Sequence, residues 1–221
     1  IYVIKGKEIR EPGILGRTAY IMDGNEIKET GYRGKTLFGI EGDNHANNSR
    51  QDSLLEILEM DTSALTTCKR MFGYCKNLTN IECVWDTSNV DNMLDMFAHC
   101  QSLTKLDLSS FDTSNVVNMQ GVFYNCQSLT KLDLSSFDTS NVVTMYAMFY
   151  NCKSLTKLDL SSFDTNDVVN MYSMISECYN LTSITFGDKA NVSNVTSYYD
   201  MFNDLPSNLI FNYDCNYDYS K

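Results

Sequence analysis

Residues 129–152 read LTKLDLSSFDTSNVVTMYAMFYNC, and near-copies of this stretch stand on both sides of it. The segments Leu103–Phe123, Leu129–Phe149 and Leu155–Ile175 are nearly identical and follow one another with a period of 26 residues. Looser copies extend the pattern, because an Asp-Thr pair recurs every 25 or 26 residues at Asp61, Asp86, Asp112, Asp138 and Asp164. A fixed period of this length predicts a repeat architecture in which each unit packs on its neighbours.

Each repeat has two halves with different periodicity. Apolar and polar residues alternate in Lys131–Ser135, which predicts a short, half-buried strand. From Asn115 to Cys126 the apolar residues recur at steps of three and four, which predicts a helix of about three turns. Asp112 and the two residues after it can cap the first N–H groups of that helix. The predicted fold is an α/β, leucine-rich-repeat-like solenoid with a parallel β-sheet on one face and short helices on the other.

The repeats divide the chain into three parts. About six repeats of 25–27 residues fill residues 53–205 and form the predicted solenoid. Residues 1–52 contain alternating stretches and turn signals such as Asp23-Gly24, so we predict a small β-rich N-terminal cap. Residues 206–221 are predicted to form a C-terminal cap or tail that covers the other end of the stack.

Composition excludes several classes of partner. The chain has 221 residues, of which 43% are hydrophobic, so it can bury a sizeable core. Its formal net charge of −11 argues against nucleic acid, whose phosphates require basic surfaces. No uninterrupted apolar stretch of about 18 residues occurs, so we expect no membrane insertion.

Eight cysteines raise the question of disulfides or zinc, and the repeat register places most of them in the core. We predict a structural ladder of small hydrophobic side chains, although adjacent thiols about 5 Å apart could also form bridges. No C-x-x-C motif occurs, and the two histidines are His45 and His99, so zinc is not expected. Cys215 lies off the repeat, and it is either free or paired with another chain. The ladder stands 14 residues after the Asp of each unit: Cys75, Cys100, Cys126, Cys152 and Cys178.

The pair His99-Cys100 has the composition of a base and a nucleophile. In each of the other four repeats the residue before the cysteine is not histidine. The cysteine position therefore has no accompanying histidine base in general. No other candidate catalytic constellation stands out from the repeat. We therefore predict that the protein is not an enzyme and has no cofactor.

Carboxylates form two rows along the repeats. Stacked carboxylates could recruit Ca²⁺, which stays the open alternative. We instead predict no metal site, because a parallel row of lysines offsets the strand row and because turn aspartates accept backbone N–H groups. The strand row is Asp107, Asp133 and Asp159 beside Lys105, Lys131 and Lys157, and the turn row is Asp112, Asp138 and Asp164.

A tyrosine row marks the candidate binding surface. One position of the predicted helix, just after its inward-facing Met row, varies along the chain. It holds Lys69, Leu94, Gln120, Tyr146, Tyr172 and Tyr199. We predict that the three tyrosines form an aromatic stripe with Tyr150 close by, and tyrosine is favoured at interfaces. The alternative is that these rings merely shield the edge of the core. The strand face repeats the same residues three times and suits a repetitive ligand or none.

From Met96 to Met174 the pattern M-F-x-x-C-x-x-L-x-x-L-D-L-S-S-F-D-T-S-N-V resembles the 26-residue repeat of bacterial surface proteins, a group related to the BspA-type leucine-rich repeats. With its looser flanking copies the resemblance covers about two-thirds of the chain. It implies an extracellular or cell-surface location and an adhesive, non-enzymatic role. The expected partner is then a protein or glycan on another cell or host surface. The alternative is a structural spacer, or a virion or fibre component, with no specific ligand of its own.

Overall fold

The computed structural model describes residues 2–5, 8–10, 18–23, 26–29, 54–57, 65–81 and 84–214. Cys83, Cys215 and the rest of the predicted tail lie outside these residues, and the three predicted domain boundaries stay predictions. The strands in the described part are β1 (Tyr2–Lys5), β2 (Glu8–Arg10), β3 (Thr18–Asp23), β4 (Glu26–Glu29), β5 (Leu54–Ile57), β6 (Asn80–Ile81), β7 (Lys157–Leu160), β8 (Ser183–Gly187) and β9 (Ile210–Asp214).

The strands form two sheets. The first has the order β4-β3-β2-β1-β5-β6, in which β1 to β4 are antiparallel neighbours while β5 pairs in parallel with both β1 and β6. The second has the order β7-β8-β9 and is entirely parallel, with Leu158 opposite Ile184 and Ile184 opposite Phe211. Strands one repeat apart therefore pair in parallel at both ends of the repeat region, as the period predicts.

The strand predicted at Lys131–Ser135 is not formed, although its counterpart one repeat later is β7. Leu134 is buried while Lys131 and Asp133 are exposed, so the predicted inward-outward pattern holds without the ladder. Part of the reason is that a serine hydroxyl, and not a backbone N–H of the neighbouring strand, donates to a strand carbonyl. The Leu134 carbonyl accepts a hydrogen bond from the Ser162 hydroxyl at 3.0 Å, and the same bond joins Ser136 to Leu108 one repeat earlier.

The helix predicted over 115–126 is wrong, and the described residues contain no helix at all. Alternate backbone N–H groups donate to the next repeat instead of to the residue four positions earlier. The N–H groups between them close tight turns, such as Tyr124 to Gly121 and Cys126 to Phe123. Consequently no helix in this part of the chain could span a bilayer. The bonds to the next repeat, at 2.7–3.1 Å, are Met119 to Thr144, Gly121 to Tyr146, Phe123 to Met148 and Asn125 to Tyr150.

Two residues per repeat adopt positive φ, and they explain the missing helix. In one repeat they are Gly121 and Asn125, both at φ 60°, and in the next they are Ala147 at 50° and Asn151 at 58°. Each left-handed residue turns the chain out of the helical path, and for residues other than glycine it costs about 1–2 kcal/mol. Apolar side chains still point inward at steps of three and four, so the sequence pattern resembles that of a helix. At Gly121 any Cβ would also overlap the carboxylate of Asp95.

The repeats stack as six coils. Isolated parallel bridges join them in one continuous series: Thr67, Asn92, Asn118, Thr144, Asn170 and Ser197. We call the side of the stack around this series the turn face, which comprises residues 67–76, 92–101, 118–127, 144–153, 170–179 and 197–206, one segment for each of coils 1 to 6. The strand face comprises residues 104–110, 130–136 and 156–162.

The core lies between the two faces and is built from rows of identical side chains. Phe97, Phe123 and Phe149 are fully buried and stack in parallel, with centroid separations of 5.9 and 5.6 Å. A second row of Phe111, Phe137 and Phe163 stacks at 6.2 and 6.4 Å nearer the strand face. Burying each ring contributes roughly 1.5–3 kcal/mol. Because successive coils bury equivalent residues, the core is continuous along the stack.

Candidate binding surface

The turn face brings the three tyrosines of the predicted stripe together. The ring of Tyr146 stacks on that of Tyr172 with centroids 5.5 Å apart and planes 14° apart, and Tyr172 meets Tyr199 at 5.9 Å and 32°. The backbone fixes this spacing, because the N–H groups of Ala147 and Ser173 donate to the carbonyls of Tyr172 and Tyr199. Tyr146 and Tyr172 are half-buried, whereas Tyr199 is 70% exposed. The outermost ring therefore offers an open face.

Tyr150 belongs to a second row beside the first. Its ring stacks on Tyr124 at 5.0 Å with planes 8° apart, and Tyr124 in turn contacts His99 at 5.1 Å. Sequence reasoning missed Tyr124, although the signal was available: Tyr124 and Tyr150 each follow the buried Phe of their repeat. We call Tyr124, Tyr146, Tyr150, Tyr172 and Tyr199 the tyrosine surface.

A ladder of polar side chains runs beneath the second row. The amide nitrogen of Asn151 donates to the amide oxygen of Asn125 at 2.6 Å, and the amide nitrogen of Asn125 lies 2.6 Å from Nδ1 of His99. Since the amide oxygen of Asn125 accepts from Asn151, the Asn125 amide group that faces Nδ1 of His99 is its nitrogen. Tyr74 covers the other side of His99 with ring centroids 4.3 Å apart. The Oδ1 of Asn151 is buried without a hydrogen-bond partner.

Glu177 occupies the next position of this row, one coil after Asn151, and accepts hydrogen bonds from tyrosine hydroxyls. It accepts a short hydrogen bond from the hydroxyl of Tyr150, and this bond is the main reason that the pKa of Tyr150 is raised above its ordinary value. Burial raises the pKa of Tyr179, with further contributions from Glu177 and Asp204. The ammonium of Lys153 lies 5.9 Å from the centroid of the Tyr179 ring. Phenols, carboxylates and one lysine thus share this part of the turn face.

Two phenols of this surface, Tyr124 and Tyr150, have a raised pKa and therefore keep their hydroxyl protons at neutral pH. Partial burial raises the pKa of Tyr124 first, and Tyr146, Tyr74 and nearby carboxylates raise it further. A protonated phenol offers one O–H and a broad ring, which suits contact with a partner rather than proton transfer.

The five ladder cysteines are buried and form no disulfide in the structure. Their thiols are also hydrogen-bonded, which the sequence pattern did not indicate. Each thiol from Cys100 onward donates to the carbonyl of the Phe in the coil before it. Burial raises the pKa of these thiols well above the ordinary value, and that of Cys178 reaches about 12. The bonds are Cys100 to Phe72 at 3.1 Å, Cys126 to Phe97 at 3.0 Å, Cys152 to Phe123 at 3.1 Å and Cys178 to Phe149 at 3.1 Å.

The strand-face carboxylates are held by serines. Asp133 Oδ1 accepts the N–H of Ser135 at 3.0 Å and its hydroxyl at 2.7 Å, which lowers the pKa of Asp133. Asp107 is held in the same way by Ser109. An open groove of about 520 Å³ on this face is lined by Lys131, Lys157 and their neighbours. No group of three or more His, Cys, Asp or Glu side chains suited to a metal occurs within the described segments.

These features define a repeat protein with a tyrosine-rich surface and buried, protonated thiols. Residues 44–132 and 107–215 match the family described as "Mycoplasma protein of unknown function, DUF285", and the chain belongs to this family. None of the curated proteins matches the chain significantly. A crystal structure of a leucine-rich repeat protein from Bacteroides ovatus is similar over 95% of this chain and 73% of that chain, with 13% identity and a TM-score of 0.33. Membership of the specific 26-residue surface-protein family stays a prediction.

Proposed function

We propose that this protein is a non-enzymatic, protein-binding repeat module of solenoid form that acts outside the cell or on its surface, and that it engages its partner through the tyrosine surface. The observation that carries this proposal is the uneven distribution of the rings. The stripe position holds tyrosine only in coils 4 to 6, at Tyr146, Tyr172 and Tyr199, and Lys69, Leu94 and Gln120 in coils 1 to 3. A partner can therefore find one register along an otherwise repetitive stack.

The chemistry of the remaining side chains supports a binding role over catalysis. The pair with the composition of a catalytic base and nucleophile is His99-Cys100, and neither side chain is placed to react. The Cys100 thiol is fully buried, its pKa is raised, and it donates to a backbone carbonyl. His99 is engaged by the amide of Asn125 and covered by the ring of Tyr74. A nucleophile needs a lowered pKa and access to substrate.

A structural spacer is the second candidate function. It is favoured by the strand face, where Lys131, Asp133 and Ser135 repeat unchanged one coil earlier and one coil later. A surface that repeats in this way sets length without selecting a partner. The two candidates differ in whether the tyrosine surface is needed for any interaction.

The double substitution Tyr172→Ala, Tyr199→Ala tests the proposal. Aromatic residues at interfaces often contribute about 2 kcal/mol or more each, so we expect the Kd for the partner to rise about a hundredfold or more. The stability of the fold should change less, because Tyr199 is 70% exposed. The partner is first captured on the immobilised protein from a surface extract of another cell or of the host, and is then purified. The measurement is a binding isotherm with this partner.

Tyr213→Ala is the matched control, since Tyr213 is 68% exposed but lies on β9 rather than on the tyrosine surface. It should leave the Kd within about twofold. Asp133→Ser with Asp159→Ser reports on the strand face. If the strand-face variant loses binding while the tyrosine variant keeps it, the partner docks on the other face. Failure of every variant to change binding favours the spacer.

A further inference from the structure

The two ends of the turn face carry opposite charge. Coil 1 contributes three cations, Lys69, Arg70 and Lys76, whereas coils 5 and 6 contribute three carboxylates, Glu177, Asp200 and Asp204, and no lysine or arginine. In the turn-face segments of coils 1 and 2 the one acidic residue is Asp95, whose carboxylate pairs with Arg70 at 3.2 Å. The turn face therefore runs from a cationic end at coil 1 to an anionic end at coils 5 and 6, where Tyr172 and Tyr199 lie.

Within the part of the chain that the structure describes, two carboxylates at the anionic end are hydrogen-bonded to neutral groups, and none is paired with a cation. Glu177 accepts the Tyr150 hydroxyl, and Asp204 accepts the side-chain amide of Asn203 at 2.9 Å. Among the described residues, none of the three forms an ion pair with lysine or arginine. Two strongly exposed rings, Tyr199 at 70% and its neighbour Tyr198 at 68%, lie in the same coil as Asp200 and Asp204.

The chain itself shows what this environment accommodates. The ammonium of Lys153 lies 5.9 Å from the centroid of the Tyr179 ring, whose hydroxyl interacts with Glu177. This is the geometry of a cation–π contact, which contributes about 0.5–1 kcal/mol at an exposed site. In the next coil the exposed residues Tyr198 and Tyr199 directly precede Asp200, and among the described residues no lysine or arginine lies over either ring.

We propose that the partner presents a basic polypeptide segment, rich in arginine or lysine, which lies over coils 5 and 6 of the turn face. This inference rests on the proposed function and specifies its partner. Arginine fits best, because its planar guanidinium stacks on an aromatic ring and donates to carboxylates at the same time. The cationic coil 1 repels such a segment, so the orientation of the partner along the stack is fixed as well.

The test uses hexa-arginine as the probe and measures its Kd by fluorescence anisotropy at low ionic strength, where exposed charges are least screened. The decisive variant is Asp200→Asn with Asp204→Asn. Both positions have positive φ, at 55° and 54°, which asparagine tolerates well, so the backbone is preserved. Two exposed charge contacts should be lost, and we expect about tenfold weaker binding.

The matched control is Asp133→Asn with Asp159→Asn on the strand face. Both double variants raise the net charge by two, from −11 to −9, so they separate a local site from the general attraction of an acidic protein. The control should weaken binding less than twofold. Equal weakening by the two variants, or none by the first, overturns the inference. Thermal unfolding of each variant verifies that the fold is intact.

The purified natural partner then separates the two proposals. If its binding needs Tyr172 and Tyr199 but not Asp200 and Asp204, the proposed function stands and the basic segment is wrong. If hexa-arginine binds as expected while the tyrosine variant leaves the natural partner bound, the proposed function is wrong. Loss of the natural partner in both variants, with the strand-face control unchanged, supports both proposals.

Discussion

Each ladder thiol from Cys100 to Cys178 is fully buried and donates a hydrogen bond to a backbone carbonyl. The Phe carbonyl that accepts it also accepts the N–H of the cysteine in its own coil, as Phe123 does from Cys126 and Cys152. A small apolar residue would fill the same space without this bond. The register of the sequence predicts a buried row, but it does not distinguish a thiol that packs from one that also donates.

We predict that the ladder thiols do not react with a thiol reagent in the native protein at neutral pH and react fully after denaturation. Burial removes access, and the raised pKa removes the thiolate that attacks the reagent. Thiol counting with and without denaturant measures this. Rapid native labelling of Cys100, Cys126, Cys152 and Cys178 would show that the coils open readily or that the row is misplaced.

The same shift predicts a loss of stability in alkali. The pKa of Cys178 rises from 9.0 to about 12 in the folded protein, so the fold favours the neutral thiol. Its contribution is fully present below pH 9 and declines as the pH rises towards 12, because the unfolded chain ionises first. In this range the free energy of unfolding falls by roughly 1 kcal/mol per pH unit because of the Cys178 thiol. Urea unfolding at pH 8 and pH 10, repeated with Cys178→Ala, checks it.

The joints between coils are made by a second recurring residue, the Thr of the Asp-Thr pair. The hydroxyl of Thr139 donates to the carbonyl of Asp164 in the next coil at 2.8 Å and accepts its N–H at 2.8 Å. Thr139 is 1% exposed. Thr87 makes the same pair of bonds to Asp112. The sequence suggested a helix cap at this point, and the structure shows a joint between two coils.

We predict that Thr139→Val lowers the free energy of unfolding by about 1–3 kcal/mol. Valine has the same shape but leaves the N–H and carbonyl of Asp164 without partners in a partly buried place. Thr130→Val is the control, because the Thr130 side chain is exposed and its bond to Thr104 is long, at 3.4 Å. It should change stability by less than about 0.5 kcal/mol. Chemical unfolding of both variants decides the matter, and equal effects would contradict this role of the buried hydroxyl.

The sequence predicted the elements unevenly, for a physical reason. Period, stacking and parallel strand pairing follow from which residues recur, and Leu158 lies opposite Ile184 as a repeat requires. The turn at Asp138 was also predicted correctly, because its carboxylate accepts the N–H of Ser140 at 2.9 Å. The helix was wrong because apolar spacing reports which side chains face inward and not where backbone bonds go. Positive φ at Ala147 and Glu177 has no signal in residue type.

At the scale of the whole molecule, only part of the tyrosine surface could be predicted from the sequence. The stripe of Tyr146, Tyr172 and Tyr199 follows from the register, since equivalent positions of adjacent coils must be neighbours. The electrostatic interaction between Tyr124 and Tyr146 depends on how the two adjacent registers turn towards each other. That turn is set by the left-handed residues, which the sequence does not reveal. The charge gradient along the turn face likewise becomes visible only once coils 1 and 6 are known to be its ends.

The alternating N–H groups of the turn face determine how the molecule responds to load. Every coil is attached to the next by a short series of backbone bonds, such as Met145 to Asn170 and Phe149 to Met174, and contacts little beyond its neighbours. A pull applied along the stack should peel it one coil at a time. Each 26-residue coil would release roughly 90 Å of contour length, so single-molecule force spectroscopy should record evenly spaced rupture peaks. A single large extension would instead reveal all-or-none rupture. Stepwise release would make the stack a shock-absorbing tether that lengthens under tension while its remaining coils stay folded.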